Sequence, residues 1–362
     1  MGVGFDLAKC DFSRCRGECL TECPYINYDE NRAKQEISQL IRGREAPILT
    51  LCITCAACNE YCPTGANPWD LISWRQEQAG ALGISADVRP ATDSLDKPYT
   101  EVRGAPGGAF ISMGGIYEVV PQKEFLSGAM FDGATIIGGG DFFCGFAETH
   151  PGCASLPVRI LPAFIANLAR AAEAFGVDEI VFTHDACYNV ATTLATQQCI
   201  EVPFHPVHIL AYIRNWLRDH PGAATPLHMD VALQGGCTTH YAPQHGDGEN
   251  WSDWTGDIFD LVGVRSVEVA RKYTGIYRLC CGSTILHSQH DRVMEIQQKN
   301  IQDAIDAGAE AYIFICPACL ATMRTMCREM GLEPIYITQL VRMALGEDLG
   351  KAGTAAFGYP VR

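Results

Sequence analysis

The residues with the most chemistry in their spacing are the adjacent pair Cys280 and Cys281, followed by Gly282, and the close pair Cys316 and Cys319 in "CPAC". Neighbouring cysteines rarely bond to each other, because so short a loop strains the disulfide. Their thiols must be buried, or must hold something else together. The chain has 362 residues and 18 cysteines: eight in residues 10–62, none in 63–143 and ten in 144–327. Thiols in that number are hazardous when free, and in a reducing compartment they point to metal rather than disulfides. The opening stretch "MGVGFDLAKC" has neither a basic nor an apolar segment, so no secretory signal is expected. Asp6 argues against myristoylation, and no run of about 18 apolar residues is present to span a membrane. A cytoplasmic protein is expected, with peripheral association with a membrane complex as an option.

"CITCAACNEYCP" places Cys52, Cys55, Cys58 and Cys62 as C-x2-C-x2-C-x3-C-P. Bacterial-type ferredoxins use this spacing to wrap three thiolates around one [4Fe–4S] cube and send the fourth to a second. Two intervening residues let successive thiolates point inward from a tight loop, and the proline turns the chain away. Upstream, "CDFSRCRGECLTECP" spaces Cys10, Cys15, Cys19 and Cys23 by four, three and three residues. The expected wiring is crosswise: Cys10, Cys15 and Cys19 with Cys62, and Cys52, Cys55 and Cys58 with Cys23. The alternative is that Cys10 or Cys15 is a bystander and its cluster altered or absent. Two cubes carry electrons singly and choose no substrate, so this half reads as a wire.

Cys237, in "LQGGCTTH", precedes the adjacent pair and the CPAC. This C…CCG…CxxC order resembles the CCG (cysteine-rich) domain of B-type and D-type heterodisulfide reductase subunits. That family takes in the iron–sulfur subunits of anaerobic glycerol-3-phosphate, glycolate and lactate oxidation. With its N-terminal two-cluster segment the chain looks like the D-type or DsrK-like layout over nearly its whole length. The resemblance implies a noncubane [4Fe–4S] cluster on Cys237, Cys280, Cys281, Cys316 and Cys319, the expected catalytic set. Adjacent thiolates can serve two parts of such a split cluster, and Gly282 suits a close backbone approach. Cys199 and Cys327, outside the motif, read as ordinary core thiols.

An internal repeat runs through the last 250 or so residues. "AAEAFGVDEIVFTHDACYNVATTL" matches "AIDAGAEAYIFICPACLATMRTM" in pattern, and "AFISMGGI" falls against "DVALQGGC". In the first copy Ile116 stands where Cys237 is, Gly152 where Cys280 is and His184 where Cys316 is; only Cys153 and Cys187 match, with Cys144 extra. A five-cysteine cluster cannot be held there. Cys144, Cys153, His184 and Cys187 make either a Cys3His set suited to structural zinc or a group of packed thiols beside a hydrogen-bonded histidine. His150 and His240, beside the cysteine loops, are candidate proton donors or satisfied loop residues.

The expected fold is α+β and multidomain: a helical two-cluster ferredoxin-like domain over 1–84, a Pro/Gly-rich linker over 85–108, a degenerate CCG module over 109–225 and a complete one over 226–362. Helical patterning covers 29–43 and 67–83, and helix-then-strand-then-cysteine recurs beyond the linker. A net charge of −15 without a Lys/Arg run disfavours nucleic acid. The resemblance implies an oxidoreductase that passes electrons through two [4Fe–4S] clusters to the noncubane cluster, for reduction or formation of a small-molecule or protein disulfide. Flavoprotein or membrane-cytochrome subunits are the implied partners. The competing reading is an electron-transfer subunit, without a substrate of its own, between a flavoprotein dehydrogenase and quinone or another carrier.

Overall fold

Residues 4–23, 25–82, 99–102, 108–116, 125–240, 249–269, 280–282 and 289–349 are described by the computed structural model. Up to residue 82 the regular elements are helices: α1 (Glu18–Thr21), α2 (Glu30–Ile41), α3 (Ile48–Leu51), α4 (Ala57–Tyr61) and α5 (Pro68–Ala79). Asp29 starts α2 by accepting the Arg32 amide at 2.8 Å. Ala33, Ile37 and Leu40 then recur at helical spacing and bury one face. Pro68 opens α5, and Gly80 closes it in the left-handed conformation that side chains disfavour.

Beyond residue 98 lie two sheets. The first contains β1 (Tyr99–Val102), β2 (Phe110–Ser112), β3 (Thr135–Gly138), β4 (Glu179–Phe182) and β5 (His205–His208), in the order β1-β3-β2-β4-β5. The second contains β6 (Asp230–Gln234), β7 (Arg265–Ser266), β8 (Ala311–Phe314) and β9 (Glu333–Tyr336), in the order β7-β6-β8-β9. All pairings are parallel except that of β1, which runs against β3 with Tyr99 opposite Gly138. Strand β1 corrects part of the expected linker, because an edge strand of four residues needs only one neighbour and leaves little periodic trace. Residues 85–98 and 103–107 of that stretch lie outside the described residues.

Parallel neighbours require long crossovers, which are usually helical. Helix α6 (Leu156–Phe175) joins β3 to β4; α7 (Asp185–Asn189) runs through a π-helical turn, Val190–Leu194, into α8 (Ala195–Gln197) before β5. Helix α9 (Ile209–Asp219) follows β5. In the second sheet α10 (Trp251–Val262) joins β6 to β7, α11 (His290–Asp306) precedes β8, α12 (Pro317–Glu329) joins β8 to β9, and α13 (Ile337–Ala344) is the last helix among the described residues. Strands β2, β3 and β8 are buried along their length, as strands inside parallel sheets are.

The two sheets share a core: Ile111, Val181 and Ile209 belong to the same apolar cluster as Val231, Ile313 and Leu340. A second cluster joins Ile37, Leu40 and Trp69 of the helical segment to Phe164 and Leu168 of α6. At that seam the Glu77 carboxylate accepts the Ser155 amide at 2.7 Å and its hydroxyl at 2.6 Å. A small third cluster, Ile53, Cys55 and Ala57 with Cys280 and Val293, ties the N-terminal cysteine loop to the C-terminal half. Cys327 is fully buried, as a core thiol should be, but Cys199 is exposed. It follows the end of α8 in a left-handed turn at φ 53°, which carries it out of the core.

Candidate iron–sulfur and thiol site

The eight N-terminal cysteines fall into two spatial groups. Cys10, Cys15, Cys19 and Cys62 line one pocket beneath α2. Burial raises the Cys10 thiol to about 11, with Cys62 and Cys15 adding to it, and pushes Cys19 well above its usual range for the same reasons. Cys23, Cys52, Cys55 and Cys58 line a second pocket, walled by Tyr25, Ile48, Trp69 and Ile72. Burial raises Cys52 to about 12, and pushes Cys55 and Cys58 well above the usual thiol range with help from the neighbouring sulfurs. The two groups adjoin, since Cys19 also lines the second cavity.

The loop between Cys52 and Cys58 bends unusually to achieve this. Thr54 and Ala56 both adopt positive φ, 62° and 61°, flanking Cys55. Left-handed backbone at non-glycine residues costs energy and persists where the surroundings enforce it. The turn aims Cys55 and Cys58 inward, and the Thr54 amide donates to Cys52 Sγ at 3.3 Å.

The C-terminal cysteines converge from the carboxyl ends of strands, the usual place for a site in open α/β sheets. Cys237 follows β6; Cys316 follows β8 and caps α12, whose first turn carries Pro317 and Cys319. Their thiols gather in a series. Cys281 Sγ donates to Cys319 Sγ at 2.9 Å, and Cys237 with Cys280, Cys280 with Cys281 and Cys319 with Cys316 lie within electrostatic reach of one another. The neighbouring Cys280 thiol lowers Cys237, and Cys319 lowers Cys316 to about 7; the adjoining thiols, and then burial, raise Cys280 and Cys319. Cys237 and Cys316, at the two ends, are partly exposed, while the three between them are buried. Gly282 turns at φ 68° against Val293, a bend that suits glycine. Gln297 Nε2 and Asn300 Nδ2 of α11 donate to the carbonyls of Cys281 and Cys280, at 3.0 and 3.1 Å.

Two histidines of the first sheet reach the ends of this series. His150, 1% exposed and flanked by Trp69 and Phe146, has Nε2 3.3 Å from Cys237 Sγ and Nδ1 3.0 Å from Thr54 Oγ1. Thr54 gives its own proton to the Ile53 carbonyl at 2.6 Å, so it accepts from Nδ1–H. Burial opposes the charged imidazole, but the charge of Cys237 and the hydrogen bond to it raise His150 on balance. His184 makes the matching contact with Cys316; burial opposes its charge too, yet that bond and the sulfur's charge lift it to about 9. The side chain of His240 lies outside the described residues.

In the first sheet Cys144 and Cys187 are close enough to shift each other's titration, Cys144 down and Cys187 up, with the charge of His184 felt at Cys144. Cys153 is not gathered with them; its charged neighbours are Glu148, Glu77 and Arg159. Among the described residues no three Cys, His, Asp or Glu side chains converge as a single metal ion would require. The thiols at 10–62 instead surround cavities, which is what a multi-atom cube needs. Buried sulfurs that raise one another's pKa are costly to ionise, and a polycationic cluster core offsets that cost when it binds. The donor sets are consistent with iron–sulfur clusters.

Residues 231–324 match the family model described as "CCG: Cysteine-rich domain", a domain of heterodisulfide reductase-like proteins. This stretch is a CCG domain. It begins with β6 and contains all five thiols of the series. No curated protein matches the chain. Among solved structures, a hypothetical protein from Helicobacter pylori aligns with a TM-score of 0.56 and 14% identity, over 90% of this chain and 68% of that one. That likeness shows a shared fold. An aspartate racemase homologue from Pyrococcus horikoshii aligns with a TM-score of only 0.31 at 14% identity, over 68% of this chain and 100% of that one. The CCG domain and the wealth of cysteines make iron–sulfur redox chemistry the theme of the molecule. No helix among the described residues is long and apolar enough to cross a membrane.

Proposed function

We propose that the chain is an iron–sulfur oxidoreductase subunit of the heterodisulfide reductase type. In this reading Cys10, Cys15, Cys19 and Cys62 hold one [4Fe–4S] cluster, and Cys23, Cys52, Cys55 and Cys58 a second. Cys237, Cys280, Cys281, Cys316 and Cys319 hold a noncubane [4Fe–4S] cluster, and the substrate is a disulfide or the matching pair of thiols. The N-terminal helices would then be a ferredoxin-like domain, and the two sheets two copies of one module; their shared parallel order, β3-β2-β4-β5 and β7-β6-β8-β9, supports this.

The observation that carries the reading is the continuity of the three thiol groups. Cys19 borders both N-terminal cavities, and the charge of Cys237 is felt at Cys55. When bound, the clusters supply single electrons, which a two-electron disulfide couple must receive in turn. The chain's own residues do the rest. Tyr25 fixes the Cys280 backbone, His150 and His184 hold the end sulfurs, and the buried middle of the series excludes water. The partly exposed ends, Cys237 and Cys316, leave an approach for substrate sulfur.

Reduced viologen and candidate disulfides, supplied to the purified protein alone, test this directly. Disulfide-dependent viologen oxidation is expected. Full iron loading with no consumption of any disulfide would favour an electron-transfer subunit instead.

A further inference from the structure

Helix α11 meets both halves of the molecule. Along its length Gln297 and Asn300 hold the carbonyls of Cys281 and Cys280. Its first turn instead reaches the helical segment that carries the Cys52 loop. Arg292 Nη2 donates to the Leu51 carbonyl, and Arg292 Nη1 to Gln289 Oε1 at 2.9 Å. Gln289, the residue before the helix, donates from Nε2 to the Thr50 carbonyl at 3.5 Å. The partly buried guanidinium is thus fixed against the peptide that leads directly into Cys52, the residue that caps α3. This placement works against local preference, because the first turn of a helix favours negative charge. The acceptors Arg292 uses, a carbonyl and an amide oxygen, are both uncharged. Its charge acts instead on the sulfurs of Cys23 and Cys52, whose thiolate forms it favours.

We propose that Arg292 sets the reduction potential of the second N-terminal cluster: its fixed positive charge stabilises the reduced form of the cluster held by Cys23, Cys52, Cys55 and Cys58. A thiolate-bound iron–sulfur cluster is anionic and becomes more so when it takes an electron. A nearby cation therefore favours the reduced form over the oxidised one and raises the potential. Arginine suits the task because it keeps its charge at any working pH. The position matters because this cluster adjoins the five-cysteine centre, where Cys55 packs with Cys280 in one apolar group. A raised potential there favours residence of the electron at the point of delivery. The inference rests on the cluster assignment proposed above.

The test is an EPR-monitored redox titration of anaerobic holoprotein, wild type beside Arg292→Gln, Arg292→Met and Arg292→Lys. Glutamine can still donate to the Leu51 carbonyl but is neutral, methionine does neither, and lysine keeps the charge without the planar fork. In both neutral variants the reduction equilibrium of one ferredoxin-type signal should fall tenfold, a downward shift of about 59 mV for one electron. Iron content and the other ferredoxin-type signal should not change, and Arg292→Lys should restore most of the shift. Wild-type potentials in a fully iron-loaded neutral variant would overturn the proposal. So would a potential in Arg292→Lys as low as in Arg292→Met, or loss of iron from both neutral variants, either of which would make Arg292 a structural contact. Wild-type protein without any ferredoxin-type signal would instead sink the functional reading itself.

Discussion

The hydroxyl of Tyr25 accepts a hydrogen bond from the Cys280 amide at 2.7 Å and donates one to the carbonyl of the same residue at 3.1 Å. One side chain from the N-terminal helical segment thus clamps the backbone of the adjacent-cysteine pair, 255 positions away in sequence. It stands between the two regions, within electrostatic reach of Cys280, Cys55 and Cys23.

Removing that hydroxyl should loosen the site without emptying the N-terminal cavities. In Tyr25→Phe the Cys280 carbonyl keeps Asn300, but the amide loses its Tyr25 partner. A buried donor left unpaired costs about 1–3 kcal/mol. Denaturant unfolding should show that loss, and EPR should show a changed C-terminal signal beside unchanged ferredoxin-type signals. Unchanged spectra and stability would show that the clamp is idle.

His150 should tune the C-terminal centre. Protonated, the form its raised pKa favours, His150 directs a second N–H, on Nε2, at the ligand sulfur; this favours the more reduced, more negative state, so its loss lowers the reduction potential. His150→Phe is expected to shift the potential of that centre downward by on the order of 60 mV, the one-electron equivalent of a tenfold change. His150→Gln, which can keep a donor, should recover part of it. A redox titration in which both variants match the wild type would remove His150 from the site.

Asp70 predicts a pH dependence of stability unconnected with the thiols. Its carboxyl is 4% exposed, and burial lifts it to about 7 against the opposing bond from Asn59 at 3.2 Å. A raised acid pKa means that the folded protein holds a proton which the unfolded chain has released. Stability therefore falls as pH rises between the two values. From about pH 6 to about pH 8 the loss should be roughly 1 kcal/mol. Asp70→Asn, neutral throughout, should flatten the unfolding free energy over that range; an unaltered slope would refute the assignment.

The parts of the molecule legible in the sequence are those written in local spacing. C-x2-C-x2-C-x3-C-P, CCG and CPAC are short-range constraints, and the helical periodicity of 30–41 reflects one buried face. Strand β1 escaped because Tyr99–Val102 is held at a sheet edge by β3, a partner more than thirty residues on that leaves no mark on the strand itself. Tyr25 and Thr54 escaped for a related reason: their partners, Cys280 and His150, are joined to them only by the fold. Their sequence signal was slight, a polar side chain close to a cysteine motif. The repeat alignment brought Cys153 and Cys187 to notice together, but in the structure it is Cys144 that shifts the titration of Cys187. The extra cysteine, which had no counterpart in the second copy, was the informative one.

Iron and sulfide analysis with Mössbauer spectroscopy, on anaerobically purified wild type and on Cys281→Ser, bears most directly on the five-cysteine centre. About twelve iron atoms per chain are expected in the wild type, four in each of three clusters. Cys281→Ser should lose about four of them, together with all disulfide turnover, and should keep both ferredoxin-type EPR signals. A wild type with no more iron than the two N-terminal sets can hold, unchanged by Cys281→Ser, would contradict the existence of that centre.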